Sequence, residues 1–115
     1  MKFFQFICTD ATAEPYDASR DDIKQWVQSM EAKGVLLLGE RLRPAEDATT
    51  VRIRNGQLLV TDGPFAETKE WIAGYGILEC KTREEAVAAC ASHPMARFGR
   101  IEVRGFWDWT KGEDQ

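Results

Sequence analysis

Apolar residues fall along this chain in short clusters whose spacing changes from segment to segment. Lys2 to Cys8 is rich in Phe and Ile with little alternation, the pattern of a buried strand. Thr9 to Asp17 carries Pro15 among small and acidic residues and reads as a loop. From Ser19 the period becomes helical. Asp22 sits three residues on, in the position of a capping box, and Ile23, Trp26, Val27 and Met30 draw one apolar stripe. Gly34 supplies the left-handed stop, Val35 to Leu42 returns to strand, and Pro44 ends it.

In "TTVRIRNGQLLVT" the pair Asn55-Gly56 is what a two-residue type I′ hairpin requires, because both central residues take positive φ. The turn sets a register with Ile53 facing Leu58 and Val51 facing Val60. Those four side chains therefore share one face, with Arg52, Arg54 and Gln57 on the other. "DGPF" (Asp62 to Phe65) then reads first as a turn. Trp71 to Cys80 forms another strand, in which Gly74 and Gly76 let a helix backbone come close on one face and Trp71 and Tyr75 crowd the other. Thr82 and Glu85 cap a second helix with a small-sided body, "AVAACAS", which His93-Pro94 closes. Arg100 to Trp107 is the last strand.

The order is βαβ, a hairpin, then βαβ again. This predicts an α+β, ferredoxin-like domain, an antiparallel sheet with both helices on one face. Two helices leave the second face uncovered, with Trp71 and Tyr75 on it. A homodimer pairing those faces is the expected cover.

With 115 residues the chain suits a single domain spanning 1–115. Hydrophobic residues make up 43% and charged residues 30%, the balance of a globular protein. A net charge of -4 argues against nucleic acid as a partner, which needs a basic surface. No apolar run approaches the roughly 20 residues of a membrane-spanning helix, and no secretory signal opens the chain. A cytoplasmic location is the expectation. Cys8, Cys80 and Cys90 show no Cys-x-x-Cys spacing and read as buried thiols, and no metal or other cofactor is expected.

Candidate chemistry is sparse. Asp62 suits a turn carboxylate or a general base, and Glu40, after "VLLLG", suits an acid–base group if its strand end is buried. His93 is the lone histidine, a helix-end cap or a proton-transfer group. Glu67 and Lys69 offer a charged rim for a polar substrate, and Trp71 and Tyr75 offer aromatic surface for substrate or interface. Phe106, Trp107 and Trp109 make an aromatic tail expected to pack on a partner or over a cleft.

"GERLRP" (Gly39 to Pro44), "ATTVRIRNGQLLVTDGPFAETKE" (Ala48 to Glu70), "GYGILE" (Gly74 to Glu79) and "MARFGRIEVR" (Met95 to Arg104) together resemble the YCII-related proteins, in the branch named for Asp-Gly-Pro-Phe. The resemblance covers nearly the whole chain. It implies a dimeric α/β barrel of ferredoxin-like subunits, in a superfamily that includes a dehydrochlorinase, muconolactone isomerase and heme-degrading monooxygenases. It further implies an association with extracytoplasmic-function sigma factors. The His-Asp pair of better-known YCII proteins does not carry over. The first helix here has no His, and His93-Pro94 stands where an Asp-Pro would. The expected function is binding or conversion of a small organic molecule in a cleft near Asp62, Glu67, Lys69 and Tyr75 by metal-free acid–base chemistry. The rival is a non-catalytic regulatory module.

Overall fold

A computed structural model describes residues 1–64, 70–108 and 110. The strands are β1 (Lys2–Cys8), β2 (Leu36–Arg41), β3 (Thr49–Arg54), β4 (Gln57–Asp62), β5 (Ile72–Glu79) and β6 (Arg100–Gly105). The helices are α1 (Ile23–Ala32), α2 (Arg83–Ala91) and the four-residue α3 (Met95–Phe98). Strands β2, β5, β1 and β6 lie in that order in one antiparallel sheet, and β3 and β4 form a separate two-stranded sheet. With the hairpin set aside, this is the expected ferredoxin-like order. Among the described residues, no helix is long and apolar enough to cross a membrane.

β1 alternates more strictly than its composition suggests. Phe3 and Gln5 are fully buried, whereas Phe4 and Phe6 are half-buried. Phe3 belongs to the core with Trp26, Met30, Leu78, Cys80, Ala86, Ala89 and Cys90, so the odd-numbered side of β1 faces the helices. The stripe on α1 supplies Trp26 and Met30, with Ile23 and Val27 packed beside them. The indole Nε1–H of Trp26 donates to the carbonyl of Ala89 at 2.9 Å, fastening α1 to α2. All three thiols are buried, and burial pushes each one above the usual thiol range.

Local details correct three expectations. Ser19 does not open α1. The Asp17 carboxylate accepts from the Ser19 amide at 3.0 Å and closes a 3₁₀ turn over Ala18–Arg20, because a carboxylate two residues back competes well for that N–H. α1 starts only at Ile23. On β5, the room left by Gly76 admits a side chain rather than a helix backbone. A methyl group there would lie 2.4 Å from Gln5 Oε1, and Gln5 Nε2 reaches on to donate to Cys90 Sγ at 3.4 Å. Trp71 precedes β5 and pairs through its backbone with Thr9, donating to Thr9 Oγ1 and accepting from the Thr9 amide, both at 2.9 Å.

The other caps agree with the sequence. Thr82 Oγ1 accepts from the Glu85 amide at 3.1 Å, and the Glu85 carboxylate accepts from the Lys81 amide at 2.8 Å. After α2 the chain turns through His93 and Pro94 into α3, then passes Gly99. A Cβ at Gly99 would stand 2.2 Å from the carbonyl oxygen of Cys8, which is backbone and cannot swing away. Gly99→Ala is therefore expected to cost about 2–3 kcal/mol by forcing β1 and the start of β6 apart, read as a lower urea midpoint at unchanged m-value.

The hairpin has the expected register, from Arg54 opposite Gln57 to Thr49 opposite Asp62. Asn55 and Gly56 take φ of 52° and 74°. Its orientation is less expected. Val51, Ile53, Leu58 and Val60 remain 60–66% exposed, while Thr50, Arg52 and Leu59 on the reverse side are partly covered. The arm contributes to an extended molecule. The radius of gyration is 16.5 Å, against about 13 Å for a compact chain of this size.

Candidate functional site

The sheet places its second face opposite the helices, and strand register decides which side chains meet there. Tyr75 is paired with Glu40 on one side and Phe6 on the other, and Phe6 is paired with Glu102. Directly opposed residues share a face, so Glu40, Tyr75, Phe6 and Glu102 form one row across all four strands. The next row is Leu38, Ile77, Phe4 and Arg104. With strands about 4.8 Å apart, the backbones of Glu40 and Glu102 stand roughly 14 Å from each other across an aromatic floor.

That floor is tightly organised. The Phe4 and Tyr75 rings stack at 5.7 Å between centroids with 10° between planes, and Phe4 meets Phe6 at 4.6 Å. Phe106 closes edge-on against Phe4 at 6.1 Å. The Arg104 guanidinium lies over Phe6, with its carbon 5.2 Å from the ring centroid, a cation–π arrangement. The Tyr75, Phe4 and Phe6 rings are half-buried, so each keeps surface open to a ligand. Glu40, Glu102 and Arg104 are exposed at the margins.

One end of the face is closed by an ionic cluster. Arg100 pairs in register with Cys8, and its Nη1 lies 2.7 Å from Glu70 Oε1 and 3.4 Å from Asp10 Oδ2. Glu70 also accepts from the Ala11 amide at 3.0 Å. The Thr12 hydroxyl and amide, at 2.6 and 2.8 Å, hold the Asp10 carboxyl below its ordinary value, with Arg100 adding less. The cluster ties the loop after β1 to the entries of β5 and β6. Among the described residues, no group of three His, Cys, Asp or Glu side chains could hold a metal ion.

Among the described residues, the structure brings together two of those that the sequence singles out. Glu40 and Tyr75 are direct cross-strand neighbours. Glu40 is exposed, so the burial envisaged for it is absent. Asp62 is also exposed and stands on the separate hairpin sheet, opposite Thr49. The turn after it is closed by the Gly63 amide donating to the Ala48 carbonyl at 2.7 Å and the Thr50 hydroxyl donating to the Gly63 carbonyl at 2.9 Å. Trp71 is partly exposed beside Thr9. Glu67 and Lys69, like Phe65 and Trp109, lie outside the described residues.

His93 lies in the other layer. Its buried ring packs on Trp26 at 4.6 Å, and Nδ1 accepts from the Met95 amide at 3.0 Å. Burial lowers its pKa to about 4, the nearby Asp21 and Asp22 opposing this more weakly. It is a neutral, hydrogen-bonded core residue rather than a charged cap on the helix dipole.

Phe4, Phe6, Glu102 and Arg104 escaped the sequence reading. Their signal was the alternation of Phe3, Gln5 and Ile7 with Phe4 and Phe6, and of Ile101 and Val103 with Arg100, Glu102 and Arg104.

A family model described as the YCII-related domain matches residues 1–110. The chain is 39% identical over 75 residues to an uncharacterised protein of Rhizobium meliloti (strain 1021), covering 64% of this chain and 60% of that one. The match thus spans about three fifths of that relative's length. Among solved structures it is similar to the 5-chloro-2-hydroxyhydroquinone dehydrochlorinase of Burkholderia phenoliruptrix AC1100 in complex with 2,5-dihydroxybenzoquinone. That similarity covers 99% of this chain and 100% of the other at 15% identity and a TM-score of 0.44, too distant to bear on residues or reaction.

Proposed function

This chain belongs to the YCII-related family, and from that premise we propose that it binds or converts a small, flat organic molecule on the open face of its sheet. The observation that carries the proposal is the row Glu40–Tyr75–Phe6–Glu102 over stacked aromatic rings. Aromatic faces favour a planar conjugated ligand by stacking. Glu40 and Glu102 at its two edges can accept hydrogen bonds or exchange protons with ring hydroxyls. Arg104, already anchored over Phe6, offers a cation to an oxyanion that develops on the ligand. The Arg100–Glu70–Asp10 cluster bounds the face at one end.

A homodimer is part of the proposal, because a half-buried aromatic face of this size is rarely left to water. Asp62, Glu67 and Lys69 are proposed as polar anchors for the ligand, in a cytosolic protein. His93 receives no catalytic part, since the sheet lies between it and the open face.

The test is a thermal-shift screen of phenolic, quinonoid and other planar carboxylic compounds against the wild type, Tyr75→Ala, Arg104→Ala and the pair Glu40→Gln and Glu102→Gln. A hit is expected to raise the wild-type Tm. Its affinity should weaken on the order of 10-fold or more when the stacking ring or the cation is removed. The glutamine variants should retain binding and lose any turnover. A wild type that no compound stabilises, or Tyr75→Ala and Arg104→Ala variants that bind as the wild type does, would overturn the reading in favour of a non-catalytic regulatory module, for which sigma factors are the partner to examine.

A further inference from the structure

β6 sets Arg100, Glu102 and Arg104 on the open face, opposite Cys8, Phe6 and Phe4. The two arginines differ in what holds them. Arg100 reaches Glu70 and Asp10. Among the described residues Arg104 makes no ion pair or hydrogen bond, and its contact is the Phe6 ring. Its backbone belongs to the row of Phe4, yet its guanidinium carbon lies 5.2 Å from the Phe6 centroid, one row along. The cation thereby joins the row of Tyr75 and Glu40 with its N–H donors left for a ligand.

The surrounding charges limit what those donors can take. Glu102 stands two positions before Arg104 on the same face, roughly 7 Å away along the strand. Glu40 closes the far edge of the row. Lys2, another cation on this face, is two rows from Phe6 and opposite Glu79, whose carboxylate is held by the N-terminal amine at 2.6 Å. A lone cation between two carboxylates attracts a monoanion and repels a dianion. A planar carboxylate also matches the guanidinium fork, whereas a phosphate monoester brings nearly two charges.

Length narrows the ligand further. The guanidinium sits over β1 and Glu40 rises from β2, two strand spacings or about 10 Å across, with Tyr75 between them. A hydrogen bond of about 3 Å at each end leaves space for one six-membered ring and not for two fused rings. We infer that the ligand is a single-ring aromatic monocarboxylate with a hydroxyl opposite the carboxylate. The carboxylate takes Arg104, the ring lies on Tyr75, and the hydroxyl donates to Glu40. This assignment rests on the open-face reading of the ligand site, and suitable probes separate the two.

Isothermal titration of the full chain at neutral pH tests it with 4-hydroxybenzoate, its methyl ester, 4-hydroxyphenyl phosphate and 6-hydroxy-2-naphthoate. The first should bind most tightly, and each of the others more weakly on the order of 10-fold or more. Arg104→Glu should lose 4-hydroxybenzoate and acquire 4-hydroxybenzylamine, a gain that misfolding cannot produce. Glu40→Ala should bind 4-hydroxybenzoate and benzoate alike, whereas the wild type prefers the hydroxylated acid. An ester, phosphate or naphthoate that binds as tightly as 4-hydroxybenzoate would overturn the inference. So would an Arg104→Glu variant that still prefers the acid, or a Glu40→Ala variant that still distinguishes the hydroxyl. If neutral planar compounds bind in a manner that depends on Tyr75 while 4-hydroxybenzoate does not bind, the open-face reading stands and only the carboxylate assignment fails. If neither kind binds, both fail.

Discussion

Acidification from pH 7 to pH 4 should cost this protein about 3 kcal/mol of stability through His93 alone. The ring is buried against Trp26 with its Nδ1 lone pair taken by the Met95 amide, and its pKa falls from 6.5 to about 4. Between those values the unfolded chain binds a proton that the folded chain refuses, so the free energy of unfolding falls as pH drops. The loss begins near pH 6.5 and is complete below about pH 4, and the gap in pKa converts to about 3 kcal/mol. That is a large share of the 5–15 kcal/mol typical of a small domain. Urea denaturation of the wild type and His93→Gln at half-unit steps from pH 7 to pH 4 would measure it. The variant keeps a group that can accept the Met95 amide but cannot ionise. Its stability should fall less steeply by about that amount, whatever its absolute value at neutral pH. Parallel curves would show that the ring takes up protons freely and is less enclosed than described.

Leu78→Ala should lower stability by about 3–4 kcal/mol, on the order of a 10–15 °C fall in Tm. Leu78 has no exposed surface and lies on the helix side of β5, in register with Leu36 and Phe3. Its cluster includes Ala86, Ala89 and Cys90 from α2. Small side chains there have already brought the helix close, so little remains that could move into the void, and the cavity cost stays high. Ile53→Ala makes the contrast. On an isolated chain that residue is 66% exposed, and its truncation should change monomer stability by no more than about 0.5 kcal/mol. Calorimetry of both variants distinguishes the two environments. A small effect at Leu78 would mean that the core relaxes around position 78.

The local elements were legible because their causes are local. Asn55-Gly56 imposed both the turn and every pairing of the hairpin, since a two-residue loop leaves no freedom of register. Thr82 and Glu85 announced α2, and Gly34, with φ of 72°, announced the end of α1. Ser19 failed as a cap because several carboxylates crowd that stretch, and spacing does not rank Asp17 against Asp22. The βαβ–hairpin–βαβ order also sufficed for a sheet with one face uncovered, because only two long helices are available to cover it.

The candidate site was legible only in halves. Alternation along β1 or β6 divides each strand into two sets, but no local signal says which set faces the helices. Nor does it say that Phe6 falls between Tyr75 and Glu102. That register joins segments nearly 70 and 100 positions apart, and core packing fixes it through Phe3, Gln5 and Leu78 on the opposite side. The same packing enclosed His93 and turned it from an apparent helix cap into a neutral core residue. Sequence alone thus determined the elements, their order and the hairpin's pairing, because steric and hydrogen-bonding preferences act within a few residues. Tertiary structure decided which side chains share the open face and which are sealed behind it, because burial and strand register are settled only when distant segments compete for one core.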